Sequence, residues 1–228
     1  MGVRLPITAG TTLVEQDSDG MTKDNPTRAE LLERAIEAIE AGGEASVRTH
    51  KIAAECGVTA PILYRLFGNR EGLIIAAQAE RYRRTLSQGS VDVATEVTRR
   101  MARCLSKQDV IDTMRWMFQV AMSPDRHRQR LVRIEVIGSA ASRPELMREV
   151  AQTEREIITH FTKVFEVAVE HGWINSSIDL KAMITLWFGT ILGRYMPEIS
   201  DGFIDGDEWN KATTEAFLHL MFGDYQEF

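Results

Sequence analysis

The stretch IAAECGVTAPILYRLFGNREGL, Ile52 to Leu73, packs two short helical patterns and the start of a third into very few residues. Isolated helices of this length are marginal in water, because nucleation is costly and few hydrogen bonds follow it. The chain must therefore supply neighbours for them. Ile52, Ala53 and Cys56 give the first short helix an apolar edge, which predicts Cys56 in the core. Gly57 is the residue type that closes a helix in the left-handed conformation. Thr59 caps the next helix, and Pro61 falls in its first turn, where a missing N–H costs little. Leu63 and Phe67, four apart, share an inward face, while Tyr64 and Arg65 point elsewhere. Gly68 stops this helix, and Asn69 caps a longer one from Arg70 to about Gln88.

The brace comes just before. Thr27 and Glu30 read as a capping box, and Leu31, Leu32, Ala35, Ile36 and Ile39 follow at helical spacing until Gly42 and Gly43 end the pattern. Two short helices joined by a glycine-bearing turn form a helix-turn-helix, whose second helix can lie in the DNA major groove. An ordinary helical hairpin carries the same punctuation, so the corner alone leaves DNA binding and plain packing both open.

The segment GVTAPILYRLFGNREGL also resembles the N-terminal signature of the tetracycline-repressor (TetR) family of transcription regulators, through Gly57, Val58, Leu63, Tyr64, Phe67, Asn69, Arg70, Glu71 and Leu73. The likeness extends from about Thr27 to Leu73. It implies an all-α fold: a three-helix head carrying the helix-turn-helix at 26–73, and a C-terminal helical bundle at 74–228 for ligand binding and dimerisation. Ala60 and Ile62 depart from the family's usual polar residues beside Pro61, which bears on which bases are read.

The resemblance places the DNA-binding residues at Arg48, Thr49, His50, Thr59, Ala60, Pro61, Ile62, Tyr64, Arg65 and Arg70. Their chemistry suits the task. Arg65 can bond bidentately to guanine O6 and N7, Tyr64 can offer its hydroxyl to a phosphate, and Pro61 and Ile62 can meet a thymine methyl. Arg70, beside a helix N-terminus, can hold a phosphate. Arg48 and Lys51 supply general positive charge. Because one such head reads few base pairs, a homodimer on an inverted-repeat operator in double-stranded DNA is expected.

Composition is that of an ordinary globular chain: 228 residues, 44% hydrophobic and 26% charged, with a net charge of −6. Between Ser46 and Arg70, however, the cations Arg48, Lys51, Arg65 and Arg70 face the single acid Glu55, giving a basic head on an acidic body. The two cysteines, Cys56 and Cys104, cannot make a disulfide framework or a cysteine-rich zinc site, and both are expected in the core. No signal peptide or membrane span is visible, so a cytoplasmic protein is expected. Residues 1–25 read as a flexible tail, with Met21 as a candidate natural start; Arg4, Lys23 and Arg28 are sparse for a minor-groove arm.

Beyond Arg84 the pattern stays helical. Ser142 and Glu145 suggest a second capping box, with Pro144 in the first turn of a long helix ending near His171 and Gly172. Further helices are expected near Asp179–Met196, read as a buried helix, and Asp207–Phe222. The resemblance implies a small effector in the bundle, here largely apolar. Met114, Met117 and Phe118 are candidate lining with Trp187, although a methionine and aromatic stripe is more often core than pocket. Arg133 and Glu135, inside an apolar run, either pair outward or meet an anionic group. The last two helices carry the expected dimer interface, Met183, Trp187, Gly189, Thr190, Gly193, Phe217 and Met221; intramolecular core is the competing assignment. Glu156 and His160 share a helix face, yet no third ligand completes a metal site, and no cofactor is expected. No nucleophile with a base, phosphate loop or metal cluster supports an enzyme. A regulator that binds a protein partner after losing operator recognition is the alternative that Ala60 and Ile62 leave standing.

Overall fold

The computed structural model describes residues 26–87 and 93–223, and the expected tail at 1–25, with Met21, lies outside them. Every regular element among the described residues is helical. Eleven helices follow in order: α1 (Pro26–Gly42), α2 (Thr49–Glu55), α3 (Ala60–Phe67), α4 (Arg70–Ser87), α5 (Val93–Met101), α6 (Lys107–Ala121), α7 (His127–Ala140), α8 (Pro144–Glu170), α9 (Leu180–Gly193), α10 (Tyr195–Glu198) and α11 (Gly206–Phe222). Single 3-10 turns at Glu44–Ser46 and Pro124–Arg126 precede α2 and α7. The chain divides into two compact units, Met1–Leu73 and Ile74–Phe228, with the boundary inside α4.

In the first unit, α1 packs on both α2 and α3. Leu31, Ala35, Ile36 and Ile39 of α1 are buried with Ile52 and Ala53 of α2 and Leu63 and Phe67 of α3. Each fully buried Leu, Ile or Phe contributes about 1.5–3 kcal/mol, enough to offset the weak intrinsic stability of helices with seven and eight residues. Arg28 lies over the Phe67 ring at 4.8 Å, covering its outer face. Gly57 and Gly68, at φ +68° and +78°, end α2 and α3 in the region where a side chain is strained. Asn69 caps α4, its Oδ1 accepting from the Gly72 amide at 2.8 Å.

The second unit has two apolar clusters. The larger joins α5, α6, α8, α9 and α11 around Met117, Phe118, Phe161, Phe165, Trp187 and Leu218. Its rings meet edge-on, Phe118 with Phe217 at 5.1 Å and Phe161 with Trp187 at 5.3 Å, the arrangement their quadrupoles favour. The smaller cluster joins α4, α7 and α8 through Tyr82, Val136, Leu146 and Val150.

Several helix boundaries differ from the sequence expectation. The first helix starts at Pro26, so Thr27 lies inside its first turn and is not the cap; proline at the first position already has a helical φ. Arg143, not Ser142, is the residue before α8, at φ −128° and ψ 92°. Pro144 pushes its predecessor out of the helical region, which fixes the start one residue later than expected. The expected helix from Asp179 to Met196 is broken into α9 and α10, because Pro197 lacks the N–H and crowds the carbonyl one turn back. Asp179 does cap α9, accepting from the Ala182 amide at 2.7 Å. The last helix starts at Gly206, one residue before the expected Asp207, and is capped by Asp205, which accepts from the amides of Asp207 at 2.8 Å and Glu208 at 3.1 Å. Nor is α9 buried all round: Met183, Ile184, Trp187, Phe188 and Ile191 face inward, while Ala182, Thr185, Leu186 and Gly189 are exposed. Cys56 and Cys104 are half-buried and not core; burial pushes both thiols up, away from the reactive thiolate.

Gly72 carries a constraint absent from the sequence expectation. A Cβ there would lie 2.0 Å from the Phe67 carbonyl oxygen, which is backbone and cannot swing aside. Gly72→Ala is therefore expected to lower stability by about 1–3 kcal/mol, as overpacking does. Urea unfolding of the variant against the parent protein measures it.

Candidate functional site

On the outer side of the head, α3 presents the residues that its inward pair leaves free. With Leu63 and Phe67 buried, Thr59, Pro61, Tyr64 and Arg65 are exposed, and Ala60 and Ile62 are half-buried at the edge. Arg48 and His50 at the start of α2 are exposed too, whereas Thr49 is buried. Thr49 instead bonds Tyr64, Oγ1 to phenolic oxygen at 3.0 Å, tying α2 to α3. A phenol held this way keeps its second hydrogen-bonding function for a group from outside. Lys51 pairs with Glu55 at 3.7 Å on an exposed turn, a contact worth little.

Arg70 has a partner that sequence reasoning missed. Its Nε donates to the Val47 carbonyl at 2.9 Å and its Nη2 to the Glu44 carbonyl at 2.5 Å. The guanidinium thus clasps the connection between α1 and α2, reaching the Val47 carbonyl and adding a second donor to the Glu44 carbonyl, which already accepts from the Val47 amide at 3.2 Å. No local sequence signal announces this, since the partners lie 23 and 26 residues away.

In the second unit, buried arginines meet carboxylates from other helices. Arg130, only 1% exposed, donates to the carbonyls of Ala121 at 3.1 Å and Ser123 at 3.2 Å, and to Glu198. Glu198 also meets His127 Nδ1 at 2.7 Å and Arg194 Nη1 at 3.4 Å. Gly206 makes room for this, because a Cβ there would lie 2.4 Å from the Arg194 guanidinium. Burial raises the Glu198 pKa, but hydrogen bonds from Arg130 and His127 and their charges outweigh it and hold the carboxyl below its ordinary value. A second group gathers Tyr82, Arg133 and Glu154, with Arg133 Nη2 donating to Glu154 at 2.8 Å and the Tyr82 hydroxyl donating to the same carboxylate. Burial above all pushes the Tyr82 phenol up to about 12.

Beside these groups lies a cleft of about 550 Å³ of empty space, counting the part open to solvent, lined by α4 to α9 and the 3-10 turn at Pro124–Arg126. Arg133 and Trp187 line it, and Trp187, Met114 and Met117 line a smaller space of about 240 Å³ inside the core. Phe118 lines neither; it is packed between Trp187 and Phe217. Arg133 and Glu135 are separated: Arg133 turns inward to Glu154, while Glu135 accepts from Arg81 at 2.9 Å. Residues two apart on a helix point to roughly opposite sides, so with Arg133 buried Glu135 must face away from it. Of the expected dimer residues, Met183, Trp187, Phe217 and Met221 are covered by this chain's own core. Gly189 is exposed, Thr190 and Gly193 are half-buried, and a Cβ at Gly193 would touch the Trp209 ring at 3.4 Å. Glu156 accepts from Gln152 at 3.0 Å and His160 meets Thr98 at 3.2 Å, and the described residues contain no group of three metal-ligating side chains. No helix among them is long and apolar enough to cross a membrane.

Comparison with known proteins places this geometry. Residues 31–77 match the family described as bacterial regulatory proteins, tetR family. No curated protein matches the chain. Among solved structures, a protein from Mesorhizobium loti named as a TetR-family transcriptional regulator shares 19% identity at a TM-score of 0.61, covering 88% of this chain and 99% of its own. One from Rhodococcus sp., named likewise, shares 19% at 0.59, covering 86% and 98%. The transcriptional regulator FadR from Bacillus subtilis, solved in complex with stearoyl-CoA, shares 16% at 0.54, covering 84% and 98%. The fold of the chain is thus the all-α fold of these regulators.

Two outcomes are expected. Arg70→Met should lower stability by about 1.5–3 kcal/mol, the range for hydrogen bonds to a charged group, in urea unfolding without any DNA present. The ionised form of Glu198 stabilises the fold because its folded pKa is lowered. That contribution is complete above the ordinary carboxylate pKa of about 4.3 and is lost as pH falls through the folded value. The stability gap between the parent protein and Glu198→Gln should narrow as pH falls below about 4, where Glu198 takes up its proton.

Proposed function

We propose that this chain, whose residues 31–77 match the tetR family of bacterial regulatory proteins, is a dimeric, sequence-specific transcription repressor. It binds an inverted-repeat operator through its head, 26–73, and is released by a small, largely apolar effector in the body, 74–228. The carrying observation is the exposed outer face of α3, with Tyr64 anchored to Thr49 and Arg65 unencumbered by the core. A helix held by its inner face to a brace, with an arginine and a phenol projecting outward, has the chemistry for major-groove reading.

Roles within the head follow from the contacts. Arg65 discriminates bases, and Pro61 with Ile62 offers apolar contact to thymine methyls. Tyr64, Thr59, His50 and Arg48 meet phosphate. Thr49 acts through Tyr64, holding the phenol in place. Arg70 acts first as a clasp that fixes the connection before α2, and its remaining guanidinium edge is available to the DNA backbone.

Dimerisation is assigned to the outward faces of α9 and α11. Ala182, Leu186 and Gly189 on α9 and Ala212, Ala216 and Leu220 on α11 are exposed, with Leu186 at 48% and Leu220 at 43%. Nothing lies within 4 Å of a Cβ built at Gly189, so a second chain can approach closely there. The fold of the FadR protein that holds stearoyl-CoA supports an effector site in the bundle. The cleft beside Trp187 is that site in this chain. We assign the protein a regulatory and not an enzymatic role, and a place in the cytoplasm.

Selection of bound sequences from random duplex DNA by the purified protein tests the proposal. An inverted repeat should emerge, bound by two chains, with affinity falling steeply as salt rises. Arg65→Ala should cost about 1–3 kcal/mol and relax one base position in each half-site. A folded dimer that enriches no sequence would overturn operator reading and favour a regulator that binds a protein partner.

A further inference from the structure

The cleft in the body is more selective than its apolar walls imply. Leu86, Val93, Ile157, Phe161, Phe188 and Ile191 form those walls, but the lining also includes Arg126, Gln129, Arg130 and Arg133, and no carboxylate. Glu154 offsets Arg133 and Glu198 offsets Arg130, yet Glu198 is shared with Arg194. Arg126 is a further cation of the lining, and burial, and then the charge of Arg130, push its pKa down. An anion placed there relieves that repulsion.

The hydrogen-bonding balance points the same way. Four buried side-chain atoms of the lining have no hydrogen-bond partner among the described residues: Arg130 Nε, Arg133 Nε, Trp187 Nε1 and Gln129 Oε1. Three of these are donors. Arg130 and Arg133 are 1% and 5% exposed, so these donors are shielded from bulk water. Buried donors call for an acceptor, and an oxyanion is the strongest acceptor available to guanidinium and indole N–H groups.

We propose that the cleft takes an amphipathic organic monoanion, a carboxylate with an extended apolar body. The carboxylate lies against Arg126 and the Nε edges of Arg130 and Arg133, and the apolar part lies along Ile157, Phe161 and Phe188. A neutral apolar molecule of the same shape leaves the donors unanswered, and a cation is repelled. This inference rests on the reading of the body as an effector-binding bundle and names the chemical class it selects.

Isothermal titration of the full chain with decanoate, decanol and decyltrimethylammonium tests it. Decanoate should bind about tenfold tighter than decanol or better, the difference a charge-assisted hydrogen bond makes, and the cation should bind weakest. Arg126→Gln should narrow the decanoate preference, and Ile157→Trp, which fills the cleft, should abolish binding of both decanoate and decanol, with circular dichroism unchanged. If either variant fails to fold, the comparison of the three probes on the parent protein still decides. Equal or tighter binding of decanol, or decanoate binding that neither folded variant alters, would overturn the inference. Binding of decanoate in the cleft without release of the selected operator would overturn effector control and leave the ligand class standing. Release by a neutral compound, with decanoate unbound, would do the reverse.

Discussion

The head depends on one constraint, the burial of Leu63 and Phe67 of α3 against the apolar stripe of α1. Without that contact neither short helix outlasts its nucleation cost. With it, the rotation of α3 is fixed, because a helix that buries two residues four apart must turn Tyr64 and Arg65 outward. The remaining contacts refine this arrangement. Thr49 steadies the Tyr64 phenol, Arg70 ties down the carbonyls before α2, and Gly72 lets α4 begin directly beneath the end of α3. A reading surface is thus a by-product of how the core is filled.

In the body, charge is organised by burial. Arg81, Arg130, Arg133 and Arg194 are each less than a tenth exposed, and a guanidinium in that setting is tolerated only with partners. Glu135, Glu198 and Glu154 supply them from other elements. Two of these arginines, Arg130 and Arg133, also line the cleft, and the Nε of each is left without a partner among the described residues. The network that stabilises the bundle therefore also sets the polarity of the space inside it. The aromatic cluster around Trp187 supplies another part of the lining, so one side chain joins core, cleft and the inner face of α9.

How far the sequence could be read depended on the range of the interaction involved. Gly57, Gly68, Asn69 and Asp179 announce helix ends locally, because glycine conformation and side-chain capping act within a few residues. Ser142 and Thr27 misled because a neighbouring proline outranked the capping pattern. The methionine stripe of α6 and the apolar residues of α9 and α11 showed that a core exists but not which side of each helix it covers. Periodicity gives the width of an apolar face. Assigning Met183 or Phe217 inward and Leu186 or Leu220 outward requires knowing what packs against them.

What the sequence determined by itself is the helical class, the helix-turn-helix corner and the outward orientation of Arg65, since each follows from residues within one or two turns of one another. Only the tertiary structure decided that Arg70 clasps backbone carbonyls, that Arg133 turns away from Glu135 toward Glu154, and that Arg126, Arg130 and Arg133 converge on one cleft. Those partners come from other helices, and side-chain electrostatics and burial act through space, along distances that no local pattern records.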